Sequence, residues 1–154
     1  MKRLEVRRHA RREPDEDRLS PAGRAEAEDL GRTLAASGIR YDVVFVSPAA
    51  RAAETAAWIL RGAGLQLPDH EVIPGLAGQD ASGGSPEGMA AGVRLLLDRV
   101  PDDGRGLAVG HTPLVERAAF GLTGSEIEPL KELEGILLTQ PDEGEIAVEE
   151  LRGR

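Results

Sequence analysis

The chain has 154 residues, no cysteine and a formal net charge of −8, from 19 basic and 27 acidic side chains. Without thiols there is no cysteine nucleophile, disulfide framework or cysteine metal site, and the acidic balance argues against non-specific affinity for nucleic acid. A chain of this length is expected to form one domain over residues 1–154, burying roughly 70% of its unfolded surface.

The opening MKRLEVRRHA carries charges where a signal peptide needs its apolar stretch. No window approaches the roughly 18 apolar residues of a membrane span, so a cytoplasmic protein without membrane contact is expected. Leu4 and Val6 alternate along an extended run that ends in Arg8-His9, which reads as a strand with a histidine at its tip. After the charged loop 11–18 (RREPDEDR), Ser20 caps and Pro21 opens a helix expected to run to about Ser37, burying Ala27, Leu30 and Leu34, with Gly38 as its stop. Residues 41–46 (YDVVFV) form the continuous apolar run of a strand covered on both faces. It ends in Ser47-Pro48, read as a second cap and helix start, with Ala52, Ala56, Ile59 and Leu60 as the inward stripe.

Residues 62–69 read as a turn-rich connector, and 70–73 as a short edge strand. The glycine- and proline-rich stretch 74–88 reads as a long loop, followed by a third helix over 87–100 that turns Val93, Leu96 and Leu97 inward. A buried strand at 106–109 leads into Gly110-His111-Thr112-Pro113, where Thr112 caps and Pro113 opens a fourth helix. Residues 133–139 and 145–151 read as a terminal hairpin turning at Asp142-Glu143-Gly144. This alternation predicts an α/β, three-layer doubly wound fold: a mostly parallel sheet flanked by helices, with an antiparallel C-terminal edge hairpin.

In an open sheet of this kind ligands bind outside the carboxyl ends of the strands. His9 and His111 both follow buried strands there, Arg8 adjoins the first, and Arg51 lies in the first turn of the helix after the second strand. Two imidazoles and two guanidiniums from three strand ends suit a compact dianion such as phosphate. The third histidine, His70, has no such company and reads as surface.

Arg8-His9, the stretch 47–56 (SPAARAAETA) and Gly110-His111-Thr112-Pro113, in this order and with a capped LSPAG at 19–23, resemble the histidine phosphatase (phosphoglycerate mutase-like) superfamily. The short length looks most like its SixA-type branch, associated with phosphohistidine proteins. The resemblance implies that His9 is the nucleophile of a phosphohistidine intermediate, and that Arg8, Arg51 and His111 bind the phosphoryl oxygens, with Arg18 as a further phosphate contact. It requires no metal or other cofactor.

Two departures stand out. The family's Arg-His-Gly is here Arg8-His9-Ala10, which restricts the backbone if that position has positive φ. Relatives place a glutamate, the general acid, near the matching stretch 73–78 (IPGLAG), which holds no carboxylate. Asp80, Glu87, or Glu13, Asp15, Glu16 and Asp17 of the charged loop are the substitutes. A phosphohistidine loses its imidazole more readily than an alkyl phosphate loses alkoxide, so a missing acid favours a phosphoramidate. The expected function is thus a phosphatase of phosphohistidine proteins. The alternatives are a phosphatase of small phosphomonoesters and an inactive phosphate-binding regulatory module. The expected partner is a phosphorylated protein or small phosphorylated substrate.

Overall fold

The computed structural model describes residues 1–65 and 69–153. Its strands and helices follow as β1 (Lys2–Arg8), α1 (Pro21–Ala36), β2 (Val43–Val46), α2 (Ala50–Gly62), β3 (His70–Val72), α3 (Pro86–Asp98), β4 (Arg105–Gly110), α4 (Leu114–Thr123), β5 (Gly135–Gln140) and β6 (Ala147–Leu151). The strands form one sheet in the order β3-β2-β4-β1-β5-β6. From β3 to β1 the pairs are parallel; β5 is antiparallel to β1 and to β6. This is the expected α/β fold with its antiparallel C-terminal hairpin.

Two apolar clusters, one on each face of the sheet, make the three layers. Val44 and Val46 of β2 and Leu107 and Val109 of β4 pack with Ala27 of α1 and Ala52, Ala56, Ile59 and Leu60 of α2. Alternate residues of the same strands, Phe45 and Ala108, join Leu4 and Val6 of β1 beneath Val93, Leu96 and Leu97 of α3 and Val115 and Ala118 of α4. Side chains alternate across a strand, so β2 and β4 each serve both clusters. Helices α1 and α2 cross closely through glycines: a Cβ on Gly31 would lie 1.9 Å from the Ile59 carbonyl oxygen, and one on Gly62 would lie 1.9 Å from that of Glu28.

Several expectations change. Ser20 caps α1 as foreseen, accepting from the Gly23 N–H at 3.0 Å, but Leu30 and Leu34 are only half-buried against the core. Strand β2 begins at Val43, leaving Tyr41 outside it. Helix α2 begins at Ala50 with no side-chain cap on its own preceding residue, so Ser47 is not its cap. Helix α4 begins at Leu114, Thr112 does not cap it, and the Thr112–Pro113 peptide is cis. The stretch 74–88 is not one loop: Pro74–Ala77 forms a 3-10 turn with Leu76 buried, and Ser85-Pro86 starts α3 with the Ser85 hydroxyl accepting from Gly88 N–H. In the connector 62–69, Gly62 ends α2, while residues 66–68 lie outside the described residues.

Strand β1 also carries more than its alternating pattern implies. Glu5 and Arg7, the intervening polar residues, are buried as well. Glu5 Oε1 accepts from Arg7 Nε and from the Tyr41 hydroxyl, each at 2.7 Å, and Oε2 accepts from Arg105 Nε at 2.6 Å. Burial and the Glu5 carboxylate push the Tyr41 phenol well above its ordinary pKa.

Candidate active site

Parallel pairing of β1 and β2 on either side of β4 brings distant residues level. Arg8 stands opposite Gly110 and Val46 opposite Val109. The pairing continues one residue past the strands: His9 N–H donates to the Gly110 carbonyl at 3.0 Å, and Ser47 N–H to that of Val109 at 3.1 Å. His9 and His111 therefore face each other, ring centroids 5.3 Å apart at an interplanar angle of 64°.

His9 is 7% exposed, and its Nδ1 lies 2.7 Å from the Ala10 carbonyl oxygen. A carbonyl only accepts, so Nδ1 carries the proton and Nε2 keeps its lone pair. Arg51 Nε donates to that lone pair at 3.2 Å. Ala10 is held in turn, its N–H donating to Thr55 Oγ1 at 3.0 Å while the Thr55 hydroxyl donates to the Arg51 carbonyl at 2.8 Å. Its φ is not positive, so alanine sits here without the strain foreseen for a non-glycine residue.

His111 Nε2 is 2.6 Å from the Ser47 hydroxyl, which also accepts from Ala49 N–H at 3.3 Å. Its Nδ1 lies 3.5 Å from Arg51 Nη2. The Arg51 guanidinium thus spans both imidazoles, and its Nη1 pairs with Asp17 Oδ1 at 3.0 Å. Asp17 supplies from the charged loop what Ser47 does not: its carboxylate accepts from the N–H groups of Ala50 at 2.8 Å and Arg51 at 3.0 Å, capping α2. Arg8 turns its Nη1 to the Leu130 carbonyl at 2.8 Å.

The site is electropositive and its imidazoles are neutral. Burial lowers the His9 pKa; its bond to Ala10 opposes this, and the charges of Arg51, Arg8 and Arg12 add to it. Burial, then His9 and Arg51, lower that of His111 to about 4, against a small opposing effect of Asp17. Desolvation pushes the Asp17 carboxyl up, but the amides of Arg51 and Ala50 and the Arg51 guanidinium outweigh it and hold the group below its ordinary range.

Four of the five residues expected from the sequence, His9, His111, Arg51 and Arg8, gather at this edge. Arg18 does not join them: its Nε pairs with Glu16 at 2.5 Å, with the side chain 59% exposed. His70, on edge strand β3, is exposed. Of the carboxylates offered as substitute acids, only Asp17 touches the cluster; Glu16 holds Arg18, and Asp80 accepts from Ser82. Ser47 and Thr55 are the contributors that sequence reasoning missed. Ser47 carried a signal, the Ser-Pro pair, but that signal also fits a helix cap.

The sequence model of the histidine phosphatase superfamily (branch 1) matches residues 4–111, a span that runs from β1 to His111. The chain belongs to the histidine phosphatase superfamily. A 2,3-bisphosphoglycerate-dependent phosphoglycerate mutase from Methylobacterium sp. (strain 4-46) is 49% identical over 53 residues, 34% of this chain and 24% of the mutase. The match thus spans about a quarter of that relative's length. Among solved structures, the protein histidine phosphatase SixA complexed with tungstate superposes with a TM-score of 0.74 at 22% identity, covering 97% of this chain and 96% of SixA. A phosphoserine phosphatase from Entamoeba histolytica, in complex with phosphoserine, gives a TM-score of 0.76 at 16% identity, covering 98% and 97% of the two chains. At such identities these two likenesses are of fold. Within the histidine phosphatase fold, the two histidines and Arg51 lie where the parallel strands end.

Proposed function

We propose that this histidine phosphatase hydrolyses phosphohistidine on proteins through a phosphohistidine of its own, formed at His9 Nε2. The observation that carries the reading is the Ala10 carbonyl on His9 Nδ1, which aims an unprotonated Nε2 into a cluster of guanidiniums. In the first step the Nε2 lone pair attacks phosphorus while the bond from phosphorus to the leaving nitrogen breaks, its electron pair going to an imidazole that departs neutral once its other nitrogen is protonated. Water then attacks the phosphoenzyme, releasing orthophosphate and restoring Nε2.

Arg51 lies where the phosphoryl group must enter, so its guanidinium exchanges the imidazoles for phosphoryl oxygens as substrate arrives. Arg8 and His111 bind the remaining oxygens, neutralising charge while the group transfers in line. Arg18 becomes a further contact only if it leaves Glu16. Among the described residues Asp17 is the one carboxylate hydrogen-bonded to the cluster, and Arg51 and two amides hold it ionised and a poor proton donor, which supports a phosphoramidate over an alkyl ester.

Incubation with a radiolabelled phosphohistidine protein should yield an acid-labile, base-stable phosphoenzyme, and His9→Ala should abolish the label and lower turnover by about 10³-fold or more. Wild-type hydrolysis by that variant would remove His9 from the mechanism. A parallel assay with p-nitrophenyl phosphate and sugar phosphates should show much slower turnover than with the phosphohistidine protein. The reverse order would make the protein a phosphomonoesterase, and binding of phosphate with no turnover would make it a regulatory module.

A further inference from the structure

Glu116, in the first turn of α4, belongs to none of the motifs at the site. Its Oε2 accepts from Leu130 N–H at 3.2 Å and from the Thr112 hydroxyl, while its buried Oε1 has no hydrogen-bond partner among the described residues. The carbonyl of the same Leu130 accepts from Arg8 Nη1 at 2.8 Å. A carboxylate and a guanidinium therefore grip one residue by its two backbone polar groups. The Leu130 side chain, 2% exposed, is sunk in the cluster that includes Val6 and Val115.

The same segment holds Arg8 by its backbone. Arg8 N–H donates to the Glu134 carbonyl at 2.8 Å, and Leu133 N–H donates to the Arg8 carbonyl at 3.1 Å. One end of the segment is fixed by the Glu134 side chain, which accepts from the N–H groups of Lys131 and Gly153. Glu116 fixes the other end at Leu130, and there the guanidinium is oriented. Leaving a carboxylate oxygen buried and unpaired is unfavourable, and the grip on Leu130 is what the side chain provides in return.

We propose that Glu116 is a positioning residue for Arg8, acting through Leu130 to set the angle at which the guanidinium meets a phosphoryl group. The proposal rests on the reading of Arg8 as a phosphoryl ligand. Glu116→Gln keeps an oxygen that accepts from Leu130 and Thr112; Glu116→Ala removes it; Glu116→Asp keeps the charge but withdraws it by one methylene.

Titration calorimetry with inorganic phosphate on the full chain tests this. Glu116→Ala and Glu116→Asp should weaken phosphate binding about tenfold, as expected for a misplaced catalytic group, and Glu116→Gln should bind as wild type does. In an Arg8→Ala background neither loss should recur, because the coupling runs through Arg8. Should Glu116→Ala fail to fold, as its melting curve would reveal, the aspartate variant carries the test alone. Wild-type binding by Glu116→Asp, or an undiminished loss in the Arg8→Ala background, would overturn the proposal. An Arg8→Ala variant that binds phosphate normally would overturn it together with the role given to Arg8. A wild-type protein that binds phosphate yet hydrolyses nothing would refute only the phosphatase reading.

Discussion

At the scale of single residues, the two histidines carry the pH behaviour of the site. His9 is buried and His111 half-buried, both as neutral rings beside guanidiniums, so the folded protein binds fewer protons than the unfolded chain below the ordinary histidine pKa of 6.5. Stability is then full above about pH 6.5 and falls as the pH drops from there toward the His111 value of about 4, the window in which the unfolded chain takes up protons that the folded one refuses. Melting temperatures of wild type and His111→Gln, measured across this window, should converge at the acid end, the wild type losing more on acidification. Parallel curves would mean that His111 titrates normally. Ala10 makes the same point about local chemistry. Its carbonyl orients His9, its N–H meets Thr55, and its side chain is asked for nothing but small size.

At the scale of elements, helix starts separate what local sequence encodes from what it does not. The pair Ser20-Pro21 reads correctly because Ser20 reaches the N–H of Gly23 within its own turn. The identical pair Ser47-Pro48 misleads because the Ser47 hydroxyl lies against His111 and the cap of α2 arrives from Asp17, more than thirty residues earlier. No local pattern reports such a partner. At Ser85-Pro86, inside the stretch that its glycines and prolines mark as loop, the same pair does cap a helix, because Ser85 reaches the N–H of Gly88 within its own turn. The strands, their order of use and the meeting of His9, His111, Arg8 and Arg51 were legible because apolar periodicity and strand-end position are local properties. Arg18 stands apart from the cluster because it pairs with Glu16, a contact set by the folded shape of its loop. The crossing of α1 and α2 also has a sharp requirement. Gly31→Ala should destabilise the protein by about 1–3 kcal/mol through overpacking against the Ile59 carbonyl, measured by urea unfolding. A change near zero would mean that the helices separate freely.

At the scale of the whole molecule, the histidine phosphatase fold here joins two layers of helices through a sheet whose central strand is polar on one face. Glu5, itself fully buried, ties Arg7, Arg105 and Tyr41 together on that face. Glu5→Ala should destabilise by about 3–5 kcal/mol, as expected when buried charges lose their counterion, with the loss read from the urea midpoint. A cost below about 1 kcal/mol would place the pair in the class of surface ion pairs instead. An alternating pattern cannot report this network, because Glu5 and Arg7 in isolation read as a solvent-facing edge.

The position of β4 between β1 and β2 has a consequence for biosynthesis. A nascent chain that has emerged only through α3 holds β1 and β2 with an open slot between them, each presenting a bare row of amides and carbonyls that could capture a neighbouring polypeptide. Residues 105–110 close that slot like a wedge driven in late, and His111 rides at the wedge's trailing end. Joining β1 to β2 and delivering His111 are therefore a single event, while the far edge of β1 and the hold on Arg8 wait for residues 130–140.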